Sequence, residues 1–364
     1  MSRAPKKILI VAMRQIGDTL ITTPLISKAK RTWPDADIDF LGFKNSVSIL
    51  SGNPDIHSVI ACSQKPKFPE YWSLFKRLFK RYDLALITQP NDRSYIFGIL
   101  SAWERYGVVP NDRKQGWWKR LLCSRTVEVD YYNQHVVTEK LKLIRGANFL
   151  EPHGIEVTPP RSENLPTDIN DLLKINSSAI VIHATPLGGY KRISLSVWHE
   201  LINKLAHSHQ IFLTGSNGES DKQLNAEILA RIDPKLKDHV SDLSGQLTFG
   251  QTTNLLSKAK LYIGVDTSIS HLAAACNTPS IVLFGPTPPT NFGPWPNGFT
   301  ADQPYMLKGS LQTVGNISII QGPGDCVPCR KAGCENSINS PSKCLLSISA
   351  QTIIDCANQK LSSN

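Results

Sequence analysis

The sequence predicts an α/β protein made of two doubly wound, Rossmann-like domains. Three observations lead there. Short apolar runs alternate with helix-forming runs in both halves of the chain, the pattern that a parallel sheet covered on both faces imposes. A proline-rich polar passage, Val157 to Pro166, separates the halves and has the composition of an interdomain linker. The stretch Lys260 to Pro286, KLYIGVDTSISHLAAACNTPSIVLFGP, runs through strand, polar turn, short helix and strand, as a βα repeat does. At 364 residues the chain is long enough for two ordinary domains. The pattern places them at 1–165 and 166–348. A closing helix at 349–364 would, by analogy with other two-domain folds, pack back on the first.

Taken in order, Ile8–Met13 is a buried strand, and Arg14-Gln15-Ile16-Gly17-Asp18 is the turn after it. A helix is expected over Thr19–Thr32, with Pro24 near its start, where a missing N–H does least harm. Ile38–Phe43, Ser58–Cys62, Leu84–Thr88 and Glu104–Val109 read as further strands. Before the Leu84 strand lies PEYWSLFKRLFKRY, residues 69–82. Its Tyr71, Leu74, Phe75, Leu78 and Phe79 repeat at helical spacing, with Lys76, Arg77, Lys80 and Arg81 on much of the other side. Two readings stay open. One is a surface helix with its apolar face in the core, which its place between two strands favours. The other is a basic amphipathic helix lying on an anionic membrane. Trp117-Trp118 among Arg113, Lys114, Lys119 and Arg120 is a second aromatic and basic spot, either interfacial or a loop packed on the domain. After the linker come a strand at Ala179–Ala184, a helix at Ser196–His207 and a strand at Gln210–Thr214. Helices follow over Gly218–Ile232 and Phe249–Ala259, then the strand–helix–strand unit already described. Beyond Pro286 the alternation degrades into loop until a helix over Ser349–Leu361.

Composition narrows the function. The net charge is +10, and residues 1–170 hold 25 Lys/Arg against 17 Asp/Glu, the remainder 15 against 13. The first half therefore faces something acidic: a membrane surface, a phosphorylated acceptor or nucleic acid. No helix-turn-helix, RNA-recognition or basic-zipper signature supports nucleic acid. No apolar run is long enough to span a membrane. The basic N-terminus is followed by only a short apolar run, Ile8 to Met13, ended by Arg14 without a small-residue cleavage site, so a cytoplasmic enzyme is expected rather than a signal peptide.

The chemistry-bearing residues gather after predicted strands, where parallel sheets bind ligands. Asp266, Thr267 and Ser268 break a strand and open a helix, a place where free backbone N–H groups and the helix dipole favour phosphate. His271 lies one turn on; alone, it reads as a satisfied core histidine or as a phosphate or sugar contact. Asp18 ends a Gly turn and is either a base aimed at an interdomain cleft or the N-cap of the next helix. Glu219 stands in the first turn of a helix after a strand, where a carboxylate suits the dipole.

Four passages carry a family resemblance: Met13-Arg-Gln-Ile-Gly-Asp18 with Thr-Leu-Ile-Thr-Thr-Pro24; His183-Ala-Thr185 with Lys191-Arg192 and Trp198; Thr214-Gly215 with Glu219; and Gly264-Val-Asp-Thr-Ser-Ile-Ser-His-Leu-Ala-Ala-Ala275 with Leu283-Phe-Gly-Pro-Thr-Pro-Pro289. Their order and spacing span most of the chain. Together they resemble glycosyltransferase family 9, the bacterial lipopolysaccharide heptosyltransferases, and within it most the heptosyltransferase III branch. The resemblance implies a GT-B fold, two Rossmann-like domains facing a cleft. It implies an inverting, metal-independent transfer of L-glycero-D-manno-heptose from ADP-L-glycero-D-manno-heptose to the inner core of lipopolysaccharide, with no cofactor required. Asp18 would be the base. Thr185, Lys191, Arg192, Glu219, Asp266, Thr267, Ser268 and His271 would bind the donor, with Glu219 at the ribose and Lys191 at the phosphates. Arg14, Gln15 and Arg93 would meet acceptor phosphates. The protein would be a monomer, peripheral to the cytoplasmic face of the inner membrane of a Gram-negative bacterium. Two departures stand out. Lys191 falls one position later than in the family pattern, and Ser268 replaces the usual Gly, adding a Cβ where a phosphate approaches.

Cys326, Cys329, Cys334 and Cys344 lie within 19 residues. Four thiols at that density suit a structural zinc or iron, or remain reduced and packed or redox-labile; the region looks remote from the chemistry. Other readings of the whole chain are a GT-B transferase with another donor or a protein acceptor, a basic nucleic-acid-binding protein, and an inactive scaffold.

Overall fold

The computed structural model describes residues 4–130, 132–144, 154–175 and 178–362. By contacts the chain divides into two compact units, one of residues 1–161 with 298–303, the other of 162–297 with 304–364. The first unit reclaims a short segment from far along the chain: Ile155 and Phe299 form an antiparallel bridge.

The first unit runs β1 (Lys7–Ala12), α1 (Ile16–Leu20), α2 (Thr23–Thr32), β2 (Asp37–Phe43), β3 (Ser58–Cys62), α3 (Phe68–Leu78), β4 (Tyr82–Ile87), α4 (Asp92–Ser101), β5 (Ala102–Val109), α5 (Trp117–Leu122), β6 (Arg125–Glu128) and α6 (Val136–Leu141). Its sheet is parallel throughout, in the order β3-β2-β1-β4-β5-β6. β1, KILIVA, is buried from Ile8 onward because helices cover both faces of the sheet. Winding goes outward from β1 to β3, then resumes on the other side at β4, so the loops after β1 and β4 diverge and leave a crevice.

The expected helix over Thr19–Thr32 is two helices. The chain breaks at Ile21–Thr22, and Pro24 sits in the first turn of α2, where no intrahelical N–H is needed. Asp18 is consequently inside α1 and not in a preceding turn. Nor is it the N-cap, which is Gln15. Trp118 meets Tyr95 edge-on, with centroids 5.6 Å apart, and Lys119 is buried in an ion pair with Asp92, so that half of the aromatic and basic spot faces inward.

The second unit runs α7 (Thr167–Ile175), β7 (Ala179–His183), α8 (Leu195–Ala206), β8 (Gln210–Leu213), α9 (Glu219–Leu229), β9 (Val240–Asp242), α10 (Phe249–Lys258), β10 (Leu261–Val265), α11 (Ser268–Ala275), β11 (Ser280–Phe284), α12 (Pro289–Phe292), β12 (Leu311–Val314), β13 (Ile317–Gln321), α13 (Lys343–Leu346) and α14 (Ala350–Ser362). The order is β12-β13-β11-β10-β7-β8-β9. Winding reverses between β7 and β10, the counterpart of the β1–β4 reversal. Where loop was expected after Pro286, β12 and β13 form an antiparallel hairpin. Its turn, Gly315-Asn316, puts Gly315 at φ 57°, a left-handed value that glycine adopts at little cost.

The closing helix corrects an expectation. α14 sets Ile353, Ile354, Cys356 and Ala357 into the core of the second unit, in one cluster with Trp198, Leu201, Ile202 and Leu205 of α8. Its apolar stripe covers the sheet face beside α8, which would otherwise be wet. Ile353 is fully buried. Ile353→Ala should therefore cost about 2–5 kcal/mol of unfolding free energy. Urea denaturation reads this directly, and a loss under ~1 kcal/mol would mean that the helix is not docked there.

Candidate active site

Each unit carries its polar side chains at the carboxyl ends of the two strands that flank its reversal. In the first unit the β1 end leads into α1. Asp18, in its first turn, keeps a partly exposed carboxylate with Oδ2 3.4 Å from Arg14 Nε. Beneath it lies a group that the sequence reading missed. Lys140 of α6 is 3% exposed and donates to the Asp18 carbonyl oxygen at 3.0 Å and to Thr22 Oγ1 at 2.9 Å. It thereby ties the α1–α2 break to α6. Burial pulls the Lys140 pKa down to about 8, against the pull of Asp18 and Glu139. Burial likewise raises the neighbouring Glu139 to about 7. A sequence signal existed: Lys140 falls on the helical face of Val137, Leu141 and Ile144, a core position for a cation.

At the β4 end, Thr88 donates its N–H and hydroxyl to Val11 of β1 at 3.1 and 3.0 Å, stitching the two strands where the crevice opens. The next residue, Gln89, is 7% exposed, and its side-chain amide has no hydrogen-bond partner among the described residues. A buried amide without partners costs about 1–3 kcal/mol unless a water or a ligand group meets it. Of the three expected acceptor contacts, Arg14 and Gln15 are exposed beside Asp18. Arg93 donates to the Gln64 carbonyl at 2.7 Å and lies over the Phe43 ring, at the ends of β2 and β3.

In the second unit the reversal brings together β7, which ends at His183, and β10, which ends at Val265; Gly264 pairs with His183. Lys191 arrives on a one-turn 3₁₀ segment after β7. Its ammonium sits 2.6 Å from Asp266 Oδ2 and donates to the Asp266 carbonyl at 3.0 Å. Both side chains are largely buried, so separating the pair would strand a charge in low dielectric. Asp266 therefore positions the lysine. Thr267 is the N-cap of α11 and Ser268 its first residue, at a backbone with no positive φ. The fold thus demands no glycine at Ser268. His271 lies buried one turn further along α11.

Behind this row stands a neutral hub. His183 Nδ1 is 2.9 Å from Thr214 Oγ1, and its Nε2 is 3.4 Å from Thr185 Oγ1. Burial pushes its pKa down to about 4, so it is uncharged at neutral pH and orients two hydroxyls. Arg192 donates to Ser220 Oγ at 3.3 Å, reaching the N-terminus of α9 where Glu219 is exposed. Glu219 thus follows the strand next to β7, where Rossmann folds carry the acid for a ribose.

The cysteine-rich segment is not remote. Ser342 Oγ donates to the Tyr190 carbonyl at 2.6 Å, and Tyr190 N donates to the Ile338 carbonyl at 3.3 Å. A Cβ on Gly189 would come within 2.8 Å of the Asn339 carbonyl oxygen, so only glycine allows this approach. The segment braces the lysine loop. Of the two readings of its thiols, a structural metal site or reduced side chains, the first is not supported by their placement: among the described residues no three or more His, Cys, Asp or Glu side chains are placed to hold a metal. Cys326 and Cys334 are exposed, while Cys334 Sγ accepts from Lys343 N at 3.4 Å.

Two α/β units, each a largely parallel sheet with one winding reversal, are the architecture of the GT-B class of glycosyltransferases. Comparison with known proteins is specific. The model of glycosyltransferase family 9 (heptosyltransferase) matches residues 71–301. The chain is 30% identical over 295 residues to lipopolysaccharide heptosyltransferase 3 of Escherichia coli, across 78% of this chain and 85% of that protein. Among solved structures, the family 9 glycosyl transferase from Veillonella parvula aligns with a TM-score of 0.77 at 14% identity over 99% of this chain and 98% of that one. E. coli ADP-heptose lps heptosyltransferase II aligns at 0.72 and 20% identity over 98% and 99%. E. coli heptosyltransferase WaaC with ADP aligns at 0.68 and 20% over 97% and 99%. The chain belongs to glycosyltransferase family 9 and has the GT-B fold.

Lys140 yields a pH test. Its folded-state pKa of about 8 lies below the ordinary lysine value, so the folded state carries a penalty at low pH. That penalty is relieved as pH rises through about 8 toward the unfolded value of about 10.4. The stability of the native chain relative to Lys140→Met should therefore climb between those limits. Urea midpoints across that range read it, and parallel curves would rule out a buried, ionisable Lys140.

Proposed function

We propose that the protein is an inverting glycosyltransferase that moves L-glycero-D-manno-heptose from ADP-heptose to the inner core of lipopolysaccharide. The observation that carries this reading is Lys191, held against Asp266 at the β7–β10 reversal with the α11 N-terminus beside it. Such a cluster suits a diphosphate leaving group. Family membership and the ADP bound in the structural neighbour WaaC support the donor.

In this mechanism the second unit holds ADP-heptose. Glu219 takes the ribose hydroxyls. Lys191, the Thr267 and Ser268 amides and the α11 dipole take the phosphates, with Thr185, Arg192 and His271 as further donor contacts. Asp18 accepts the proton of an acceptor hydroxyl as its oxygen attacks the anomeric carbon, and the bond to the diphosphate breaks on the opposite face. Lys191 neutralises the charge that develops on the departing ADP, the role that a metal plays elsewhere. Arg14 orients the Asp18 carboxylate, and Arg14, Gln15 and Arg93 meet acceptor phosphates. Because the acceptor is a lipid, we place the reaction at the cytoplasmic face of the inner membrane of a Gram-negative bacterium, with the protein acting there as a monomer.

Asp18→Asn should lower kcat about 10²–10⁴-fold with ADP affinity retained. Lys191→Met should lower transfer about 10²–10³-fold and weaken ADP. Transfer of heptose to a defined core acceptor, beside calorimetric ADP binding, separates the two; unchanged turnover in Asp18→Asn removes it as the base. Transfer should also survive excess EDTA, and abolition restored by Mg²⁺ would reassign the phosphate chemistry.

A further inference from the structure

α3 has the right residues for a core helix and does not use them so. Only Leu74 and Leu78 are buried. Phe68 is 81% exposed and Trp72 52%, with Tyr71, Phe75 and Phe79 exposed along the same side. The rings form a ladder. Trp72 and Phe75 stack with centroids 5.5 Å apart, and Phe75 and Phe79 at 4.9 Å. At the helix end Lys80 takes a left-handed backbone, φ 51°. Its ammonium donates to the Ile99 carbonyl and lies 3.6 Å over the ring of Trp103, itself 76% exposed. The aromatic surface thus continues from α3 onto the start of β5.

Beside the ladder, at the amino ends of β1, β2 and β4, is a cleft of about 450 Å³ lined by Lys7, Asp39, Ile60, Lys76, Arg77, Arg81 and Tyr82. Its carboxylate is already engaged: Asp39 accepts from Tyr82 OH at 2.7 Å and lies 3.0 Å from His57 Nδ1. The remaining charged lining is cationic. Exposed flat aromatics bordered by lysine and arginine match the boundary of a bilayer, where rings sit among headgroups and cations meet lipid phosphates.

We propose that this face, the α3 aromatic ladder with the basic cleft behind it, docks the protein on an anionic phospholipid bilayer. The inference deepens the proposed function and rests on it only for the identity of the acceptor. The cleft is at the opposite end of the strands from Asp18, so docking leaves the chemistry of the first unit uncovered.

The test is cosedimentation with vesicles of phosphatidylcholine containing 30% phosphatidylglycerol, against phosphatidylcholine alone. Native protein should bind the first, with binding weakened at high salt. Each cation at an anionic surface contributes about five-fold, so Lys76→Glu/Arg77→Glu/Arg81→Glu should weaken partitioning roughly a hundred-fold or more. Trp72→Ser/Phe75→Ser/Phe79→Ser should abolish it, and Trp72→Phe, a milder change, should reduce quenching of tryptophan fluorescence by brominated lipid. All three variants are at exposed positions, and each should transfer heptose to a soluble, delipidated core oligosaccharide at the native rate. Failure of the native protein to bind phosphatidylglycerol vesicles while soluble transfer continues overturns the docking face and leaves the enzyme reading intact. Vesicle binding that the variants lose, in a protein inactive with ADP-heptose, does the reverse. Displacement by millimolar inorganic phosphate, or a dimer that the aromatic variant dissociates in sedimentation velocity, assigns the face to a free anion or to a second copy and overturns the proposal.

Discussion

A parallel strand buried on both faces has no polar side chain to spare along its length. β1, β7, β10 and β11 are apolar and covered by helices, so chemistry can emerge only where the strands stop. Most stops are filled by the next loop. The exception is where winding reverses, because consecutive loops there leave in opposite directions. Each unit has one such place, β1 beside β4 and β7 beside β10. Asp18 belongs to the first and the Lys191–Asp266 pair to the second. The positions of both follow from strand order.

Reversal provides space, and packing makes it rigid. Lys191 would be a mobile side chain on a glycine-rich loop if nothing held that loop. Three constraints do: the ion pair to Asp266, the hydrogen bonds from Ser342 and to Ile338, and the close contact at Gly189. The cysteine-rich segment earns its place in the fold through those contacts, whatever its thiols do. In the first unit Lys140 performs a comparable task from below, bonding the Asp18 carbonyl and the Thr22 hydroxyl across the helix break. A buried ammonium is tolerated there because its protons find oxygen acceptors.

Much of this architecture was legible in the residues. Runs such as KILIVA and SIVLF have one reading in a chain that alternates them with helices, and they located the strand ends where the candidate residues lie. Asp266 to Ser268 between a strand and a helix, and Glu219 opening another helix, were found by the same reasoning. Other features were missed for physical reasons. The Gly315-Asn316 hairpin had a turn signal, but its strands are short and its flanks rich in proline and polar residues. Gln89 is an ordinary polar residue in a loop until burial removes its water. The α3 helix is instructive: Tyr71, Leu74, Phe75, Leu78 and Phe79 repeat correctly for a core face, yet only the two leucines point inward.

Local periodicity records which side chains share a face of an element and nothing about what covers that face. The sequence by itself therefore determined the class of fold, the alternation of its elements and most of the polar residues at the strand ends, because each depends on neighbours within about a dozen positions. It also determined the family, because the order and spacing of four motifs are themselves written along the chain. Tertiary structure alone decided three further things: that α14 completes the core of the second unit, that the cysteine-rich segment lies against the lysine loop, and that the aromatic side of α3 is exposed. The first two depend on residues about 150 positions apart, whose contacts exist only once the sheets have set the register and the reversals have fixed which loops meet.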